Sequence, residues 1–250
     1  MKNKKDENIV YGRNPVIELL KSNHPIDKIL IWHTSEGGSI AKIISMAKEK
    51  NVLIKNVSKE KLNAMALNEN HQNVVAVVAA YNYSELEDIF QLAKQKDEAP
   101  FIIILDKIKD PHNMGAIIRT AEVVGAHGVI IPKRHNVGST PVVMKVSAGA
   151  CKSIPIVRVA NLAETINFLK EQGVWVYCLE ACGERYVKFD YKGSLAVVVG
   201  SEGQGVSRLV KERCDFVVSL PVNGRINSLN ASVAAGVFMY EVARQRIQFN

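Results

Sequence analysis

Short apolar runs alternate with longer amphipathic stretches along most of this chain. The runs at 101–105 and 195–199 are apolar on both faces, which is typical of strands buried inside a parallel sheet. In the intervening stretches the apolar residues recur every three or four positions, which predicts helices with one buried face. Strands that alternate with helices in this way predict an α/β fold with a mostly parallel sheet covered on both faces.

The pattern divides the chain into two modules. In the first module we predict strands at 28–32, 51–55 and 73–80, and helices starting at Asn14-Pro15 and spanning 39–50 and 58–67. A capping box at Ser84 and Glu87 predicts a helix to Lys96. In the second module we predict strands at 101–105, 128–131, 154–157, 174–179, 195–199 and 216–219, and helices at 114–124, 141–150, 161–172, 205–213 and 231–248.

The distribution of charge follows the same division. The predicted domains are a small α/β domain at 1–80, an acidic helical linker at 81–100 and a larger α/β domain at 101–250. Their net charges are +4, −3 and +6, within a chain total of +7. Positive charge on both sides of the acidic linker suits two modules that bind phosphate groups, although ordinary solvated lysines would give the same net charges.

Composition excludes several classes of protein. Of the 250 residues, 47% are hydrophobic and 23% are charged, which are globular values. No apolar run approaches the roughly 20 residues that span a bilayer, and the N-terminus has no apolar signal, so we expect a cytoplasmic protein without a membrane partner. The four scattered cysteines form no zinc-type pair, and we expect reduced structural thiols and no metal.

Three polar loops each follow a predicted strand of the second module. They lie at 110–119, 200–205 and 219–235, and all are rich in glycine, amides or both. Open α/β sheets bind ligands beyond the carboxyl ends of their strands, where such loops meet. The sequence therefore predicts one site built from all three loops.

The first two loops each leave two interpretations open. Asn113 stands where a helix N-cap belongs, and Arg119 could clamp a phosphate near the start of that helix or pair with Glu122. In the second loop, glycines around Glu202 could let a ligand approach the backbone from Gly200 onward, or could simply form a tight turn. Their spacing matches neither a Rossmann fingerprint nor a P-loop, which counts against a nicotinamide dehydrogenase.

The third loop offers amides, a hydroxyl and two leucines. Ser228 or Asn230 could cap the last helix, and Leu220 and Leu229 could belong to the core or could wall an adenine slot. The other polar residues of this loop are Asn223, Gly224, Arg225 and Asn227. The sequence shows no Ser-His-Asp order and no paired metal carboxylates. A site of amides, glycines, one arginine and one glutamate is suited to group transfer from a donor that is already activated, because such a reaction depends mainly on orientation.

These motifs resemble those of the SpoU/TrmH branch of the SPOUT methyltransferases. The segments 113–121, 199–205 and 220–232 look like its three motifs, in order, and the first module resembles the small RNA-binding extension of its ribosomal RNA guanosine enzymes. The resemblance implies a deep C-terminal trefoil knot, an N-terminal domain like ribosomal protein L30e, and a homodimer. It also implies S-adenosylmethionine as the methyl donor. The implied cofactor contacts are Gly200, Leu220 and Leu229, and the implied catalytic residues are Asn113, Arg119, Glu202, Ser228 and Asn230.

The function that the resemblance implies is 2′-O-ribose methylation of a guanosine in large-subunit ribosomal RNA. A tRNA guanosine 2′-O-methyltransferase is the first alternative, although the smallest tRNA enzymes of the family have no extra N-terminal module. A non-catalytic RNA-binding protein is the second, and the intact motif residues argue against it.

Overall fold

The computed structural model describes residues 9–22, 26–32, 37–66, 68–78, 81–224 and 228–246. The chain divides into two compact units at the bond between Asn82 and Tyr83, and residues 140–142 group with the first unit. Each unit has its own sheet and its own apolar core.

The first unit contains a four-stranded sheet with three helices. Its strands are β1 (Ile9–Tyr11), β2 (Ile26–Trp32), β3 (Leu53–Val57) and β4 (Val74–Val78), and its helices are α1 (Arg13–Lys21), α2 (Gly38–Glu49) and α3 (Lys59–Met65). The strand order is β1-β4-β2-β3, in which β2 and β3 are parallel while β4 runs antiparallel to β1 and β2. The short strand β1 was missing from the predicted elements, because three residues give no readable alternation.

The second unit contains a six-stranded sheet in which every pairing is parallel. Its strands are β5 (Phe101–Asp106), β6 (Gly128–Pro132), β7 (Ile156–Val159), β8 (Trp175–Arg185), β9 (Leu195–Gly200) and β10 (Phe216–Ser219). The order is β10-β8-β9-β5-β6-β7, so the chain places β9 between β5 and β8. All six predicted strands are present, and the predicted fold class, an α/β fold with a mostly parallel sheet, is confirmed.

Helices cover both faces of this sheet. They are α4 (Leu86–Gln95), α5 (Pro111–Val123), α6 (Pro141–Val146), α7 (Leu162–Glu171), α8 (Arg208–Lys211) and α9 (Ala231–Arg246). Ile104 and Val198 point to the face that packs against α4, α7 and α8. Tyr177 points to the opposite face, where its ring contacts Phe238 of α9, and α9 packs against α5. Because both faces are buried, the strands carry apolar residues at consecutive positions.

Several helix boundaries differ from the prediction, and three of the differences have a local cause. Helix α8 begins at Arg208 rather than near 205, because the backbone N–H groups of the two preceding residues donate to the carboxylates of Glu180 and Asp106. Helix α6 ends at Val146, since Ala148 adopts a left-handed φ of 51° that stops it. Helix α4 starts one residue later than predicted, because the Asp88 carboxylate accepts a hydrogen bond from the backbone N–H of Glu85 at 2.9 Å.

No helix in the described part of the chain is both long enough and apolar enough to cross a bilayer.

Candidate active site

The three predicted loops leave the sheet along one edge. Strands β5, β9 and β10 all run in the same direction, and their carboxyl ends are Asp106, Gly200 and Ser219. Asp106 lies opposite Gly200 in the register of the β5–β9 pair. The loops that follow these strands are therefore brought together, as expected for a ligand site in an α/β sheet.

The first loop places Asn113 inside helix α5 rather than at its cap. The N-cap is Asp110, whose carboxylate accepts from the N–H of His112 at 3.0 Å, and Pro111 occupies the first helical position. The prediction that Asn113 caps this helix was therefore wrong. Because Asp110 caps the helix, the buried Asn113 side chain is available for contacts with residues distant in sequence.

The second loop is a tight turn whose tip carries Glu202. Ser201 and Gly205 exchange two backbone hydrogen bonds, of 2.9 and 3.2 Å. Gly203 and Gly205 have φ values of 80° and 62°, a region that glycine adopts without strain. These glycines thus form a tight turn, which leaves the Glu202 side chain exposed beside α5 and α9.

Two carboxylates fix the base of this turn. Asp106, buried at the end of β5, accepts from the N–H of Ser207 at 2.7 Å and from its hydroxyl. Glu180, on β8, accepts from the N–H of Val206 at 2.7 Å. The sequence analysis missed both residues, and the only signal for Asp106 was a carboxylate closing an otherwise apolar strand.

Asn113, Glu202 and Asn230 form one hydrogen-bonded cluster, which we call the amide–carboxylate cluster. The Asn113 Nδ2 donates to Glu202 Oε1 at 2.7 Å, and the Asn230 Nδ2 donates to the same oxygen at 2.5 Å. The Asn230 Nδ2 also donates to Asn113 Oδ1 at 3.0 Å. One residue from each loop is therefore held by the other two.

The orientation of the Asn230 amide is determined by helix α9. Its Oδ1 accepts from the N–H of Ser232 at 2.9 Å, from the Ser232 hydroxyl at 2.6 Å and from the N–H of Val233 at 3.3 Å. Since only an oxygen can accept these bonds, the Nδ2 must face Glu202 and Asn113. Asn230 thus serves as the helix cap and as a member of the cluster.

The remaining predicted site residues lie outside this cluster. Arg119 projects from α5 as an exposed side chain, and no described residue forms an ion pair with it, so the alternative pairing with Glu122 is absent. Ser228 is exposed, as is Leu229 with 44% of its surface accessible, whereas Leu220 is buried. Residues 225–227, which include Arg225 and Asn227 of the predicted third motif, lie outside the described residues.

The buried Cys178 is held as a neutral thiol. Cys178 is buried, and a hydrogen bond with the Cys214 thiol together with burial raises its pKa far above the ordinary value, which keeps it as a thiol. In the part of the chain that the structure describes, no three His, Cys, Asp or Glu side chains gather in a way that could hold a metal ion.

Comparison with known proteins identifies the class. Residues 100–240 match the model of the SpoU rRNA methylase family, and residues 9–84 match the model for RNA 2′-O ribose methyltransferase substrate binding. YacO of Bacillus subtilis, named as a TrmH family tRNA/rRNA methyltransferase, is 49% identical over 238 residues, which are 95% of each chain. A Staphylococcus aureus protein with the same family name is 44% identical over 242 residues, 96% of this chain and 97% of that one.

Solved structures agree with this match. The SpoU methyltransferase AviRb of Streptomyces viridochromogenes has a TM-score of 0.62 at 26% identity, covering 95% of this chain and 89% of its own. A second structure of AviRb, in complex with AdoMet, has a TM-score of 0.61 at 24% identity and the same coverage. The fold and the matched domains define an RNA methyltransferase. The chain belongs to the SpoU rRNA methylase family, as the resemblance implied.

Proposed function

We propose that this protein methylates the ribose 2′-hydroxyl of a guanosine in large-subunit ribosomal RNA, with S-adenosylmethionine as the methyl donor, and that it acts in the cytoplasm. The observation that carries the proposal is the amide–carboxylate cluster, which joins one residue from each of three loops, one of them on α5, the helix that also carries the exposed Arg119. The match of residues 9–84 to the substrate-binding family supports RNA as substrate and the ribose 2′-oxygen as the acceptor.

The residues at the carboxyl ends of β9 and β10 fit this cofactor. A Cβ at Gly200 would overlap the backbone of Gly205 and Val206, so only glycine lets the chain fold so tightly there. Leu220 directly follows β10 and is buried, whereas Leu229 exposes 44% of its surface, and an exposed leucine in a polar loop can cover an adenine ring. These residues would hold S-adenosylmethionine, which supplies a methyl group already activated on a sulfonium.

The cluster serves to position the reacting groups. Oε1 of Glu202 accepts both amides, so Oε2 and the second N–H of Asn113 have no partner among the described residues and are left for substrate. Because Asn113 is buried within a helix and Asn230 caps another, these groups have little freedom to move. Substrate groups that are positioned by such rigid side chains lose little entropy on reaching the transition state. We assign Ser228, exposed one residue before Leu229, to the ribose or its phosphate.

Arg119 has the charge that the reaction needs. A guanidinium stays protonated at all accessible pH, so Arg119 cannot remove the ribose proton. It can bind an RNA phosphate in bidentate fashion and stabilise the negative charge that develops on the 2′-oxygen. The 2′-oxygen forms its new bond to carbon while its proton leaves to a phosphate oxygen or to water.

The exposed face of α9 supports a homodimer. Val233, Val237 and Tyr240 follow one another at spacings of four and three residues, and 50%, 40% and 54% of their surfaces are exposed. Val123, on the adjacent α5, is 61% exposed. An apolar stripe of this kind on a soluble domain is typical of a contact with another protein chain. Sedimentation should give a dimer for the wild type and a monomer for Val237→Lys.

The decisive experiment measures transfer of labelled methyl groups to unmodified ribosomal RNA and, separately, to unmodified tRNA. Arg119→Ala should reduce kcat by about a hundredfold or more, because one preorganised charge stabiliser typically contributes that much. Lys94→Ala, an exposed cation on α4, is the charge-matched control and should be unchanged. Mapping of the ribose methyl then identifies the nucleotide.

Each result bears on a different part of the proposal. Incorporation into ribosomal RNA alone, lost in Arg119→Ala, is the expected result. Label in tRNA alone would replace the ribosomal substrate with the tRNA alternative. Near-normal turnover of Arg119→Ala at saturating RNA would refute the role of Arg119. Failure to bind S-adenosylmethionine would favour a non-catalytic RNA-binding protein.

A further inference from the structure

A cavity of about 640 Å³ opens at the same sheet edge but on the side of α7 and α8. The amide–carboxylate cluster does not line it, and neither do Arg119, Gly200, Leu220 or Leu229. Its lining residues are Lys107, Asn161, Ala163, Glu164, Asn167, Ser207, Arg208, Leu209, Val210 and Arg213.

Positive charge dominates the lining of this cavity. Lys107, Arg208 and Arg213 contribute three cations, against one carboxylate from Glu164. Both arginines are exposed, and Arg208 is also 2.9 Å from the Glu212 carboxylate in a solvent-exposed pair. Exposed pairs of this kind are weak, so they do not prevent an arginine from binding a phosphate.

The rest of the lining suits a nucleobase. Leu209, on the four-residue helix α8, exposes 61% of its surface. An apolar side chain so exposed can pack against the face of a base, and the amide of Asn167 can both donate to and accept from a base edge. Cations, an apolar wall and an amide together match a nucleotide better than a free anion.

One lining residue of the cavity, Lys107, has an unusual backbone conformation. Lys107 has a φ of 60°, in the left-handed region that lysine rarely adopts. Its neighbour Asp106 accepts two hydrogen bonds from Ser207, another residue that lines the cavity, and these bonds also anchor the turn that carries Glu202. Strained residues held by their surroundings are concentrated at binding and catalytic sites.

We propose that this cavity binds a nucleotide of the substrate RNA that flanks the methylated one, with its phosphate between Arg208, Arg213 and Lys107. The inference rests on the proposed function, because it assigns a second contact to the same substrate. The hydrogen bonds between Asp106 and Ser207 connect the cavity lining to the Glu202 turn. RNA bound in the cavity would therefore stabilise the turn in the conformation that the cluster requires.

The test compares the double variant Arg208→Ala/Arg213→Ala with Lys94→Ala/Lys188→Ala, which removes two exposed cations that do not line the cavity. RNA affinity is measured by fluorescence anisotropy at several salt concentrations, S-adenosylmethionine affinity by calorimetry, and KM and kcat by methyl transfer. Because both arginines contact one phosphate, their removal should lower the slope of log affinity against log salt by about 0.7 for single-stranded RNA. The effect should fall on KM for RNA rather than on kcat, with cofactor affinity unchanged.

Several results would overturn the inference. An unchanged KM and salt slope in the arginine variant, or the same change in the lysine variant, would show that the cavity does not bind RNA. A fall in kcat alone would indicate a structural effect on the Glu202 turn. Inhibition by a mononucleotide that the arginine variant abolishes, without any change in RNA affinity, would replace RNA with a free nucleotide. If the wild type transfers no methyl group to RNA, the proposed function itself fails, whatever the variants show.

Discussion

Replacing Asp106 by alanine should destabilise the second unit and disturb the active site together. The buried carboxylate accepts both donors of Ser207, its N–H and its hydroxyl. Hydrogen bonds to a charged group contribute about 1.5–3 kcal/mol each. Because water can reach the half-buried Ser207, we take about 1.5 kcal/mol for each bond. Asp106→Ala should therefore lower the free energy of unfolding by about 3 kcal/mol, and Ser207→Ala, which loses only the hydroxyl donor, by about 1.5 kcal/mol.

The effect can be isolated in a double-mutant cycle. Urea unfolding is monitored by the fluorescence of Trp175 in a Trp32→Phe background, because each unit contains one of the two tryptophans. The double variant Asp106→Ala/Ser207→Ala should lose less than the sum of the single variants, by about 0.5–1 kcal/mol, since the two residues contact each other. Strict additivity, or a loss below about 0.5 kcal/mol for Asp106→Ala, would refute the assigned bonds.

Three further predictions concern His127, Gly200 and Arg246. Burial lowers the pKa of His127 below its ordinary 6.5, and its Nδ1 accepts from the N–H of Phe101, so folding favours the neutral ring. The wild type should therefore lose stability as pH falls below about 6.5, and His127→Gln should flatten that part of a urea-denaturation pH profile. Gly200→Ala should abolish cofactor binding by calorimetry, because its Cβ overlaps neighbouring backbone, whereas Gly193→Ala, with nothing within 4 Å, should not. Arg246→Met should lower the thermal midpoint, since the guanidinium of this last residue of α9 donates to the backbone carbonyls of Tyr191 and Ala99, and an unchanged midpoint would contradict this.

Local sequence signals were reliable for the strands and less so for helix ends. Every strand of the six-stranded sheet was recognisable as an apolar run, because burial on both faces leaves no alternation to misread. The helix boundaries depended on competing side chains. Asn113 has the right chemistry for a cap, but Asp110 and Pro111 together begin the helix three residues earlier. Helix α8 is short because Asp106 and Glu180, distant in sequence, hold the residues before it.

The sequence by itself determined the α/β class of the second module, the three polar loops and the residue types that carry the chemistry. It also determined that these loops share one edge, because parallel strands end on the same side of a sheet. Only the tertiary structure decided which side chains meet. Asn113 contacts Glu202 and Asn230 across 89 and 117 residues because β9 lies between β5 and β8 and α9 packs on α5. Strand order and helix packing depend on contacts distant in sequence, which no local pattern encodes.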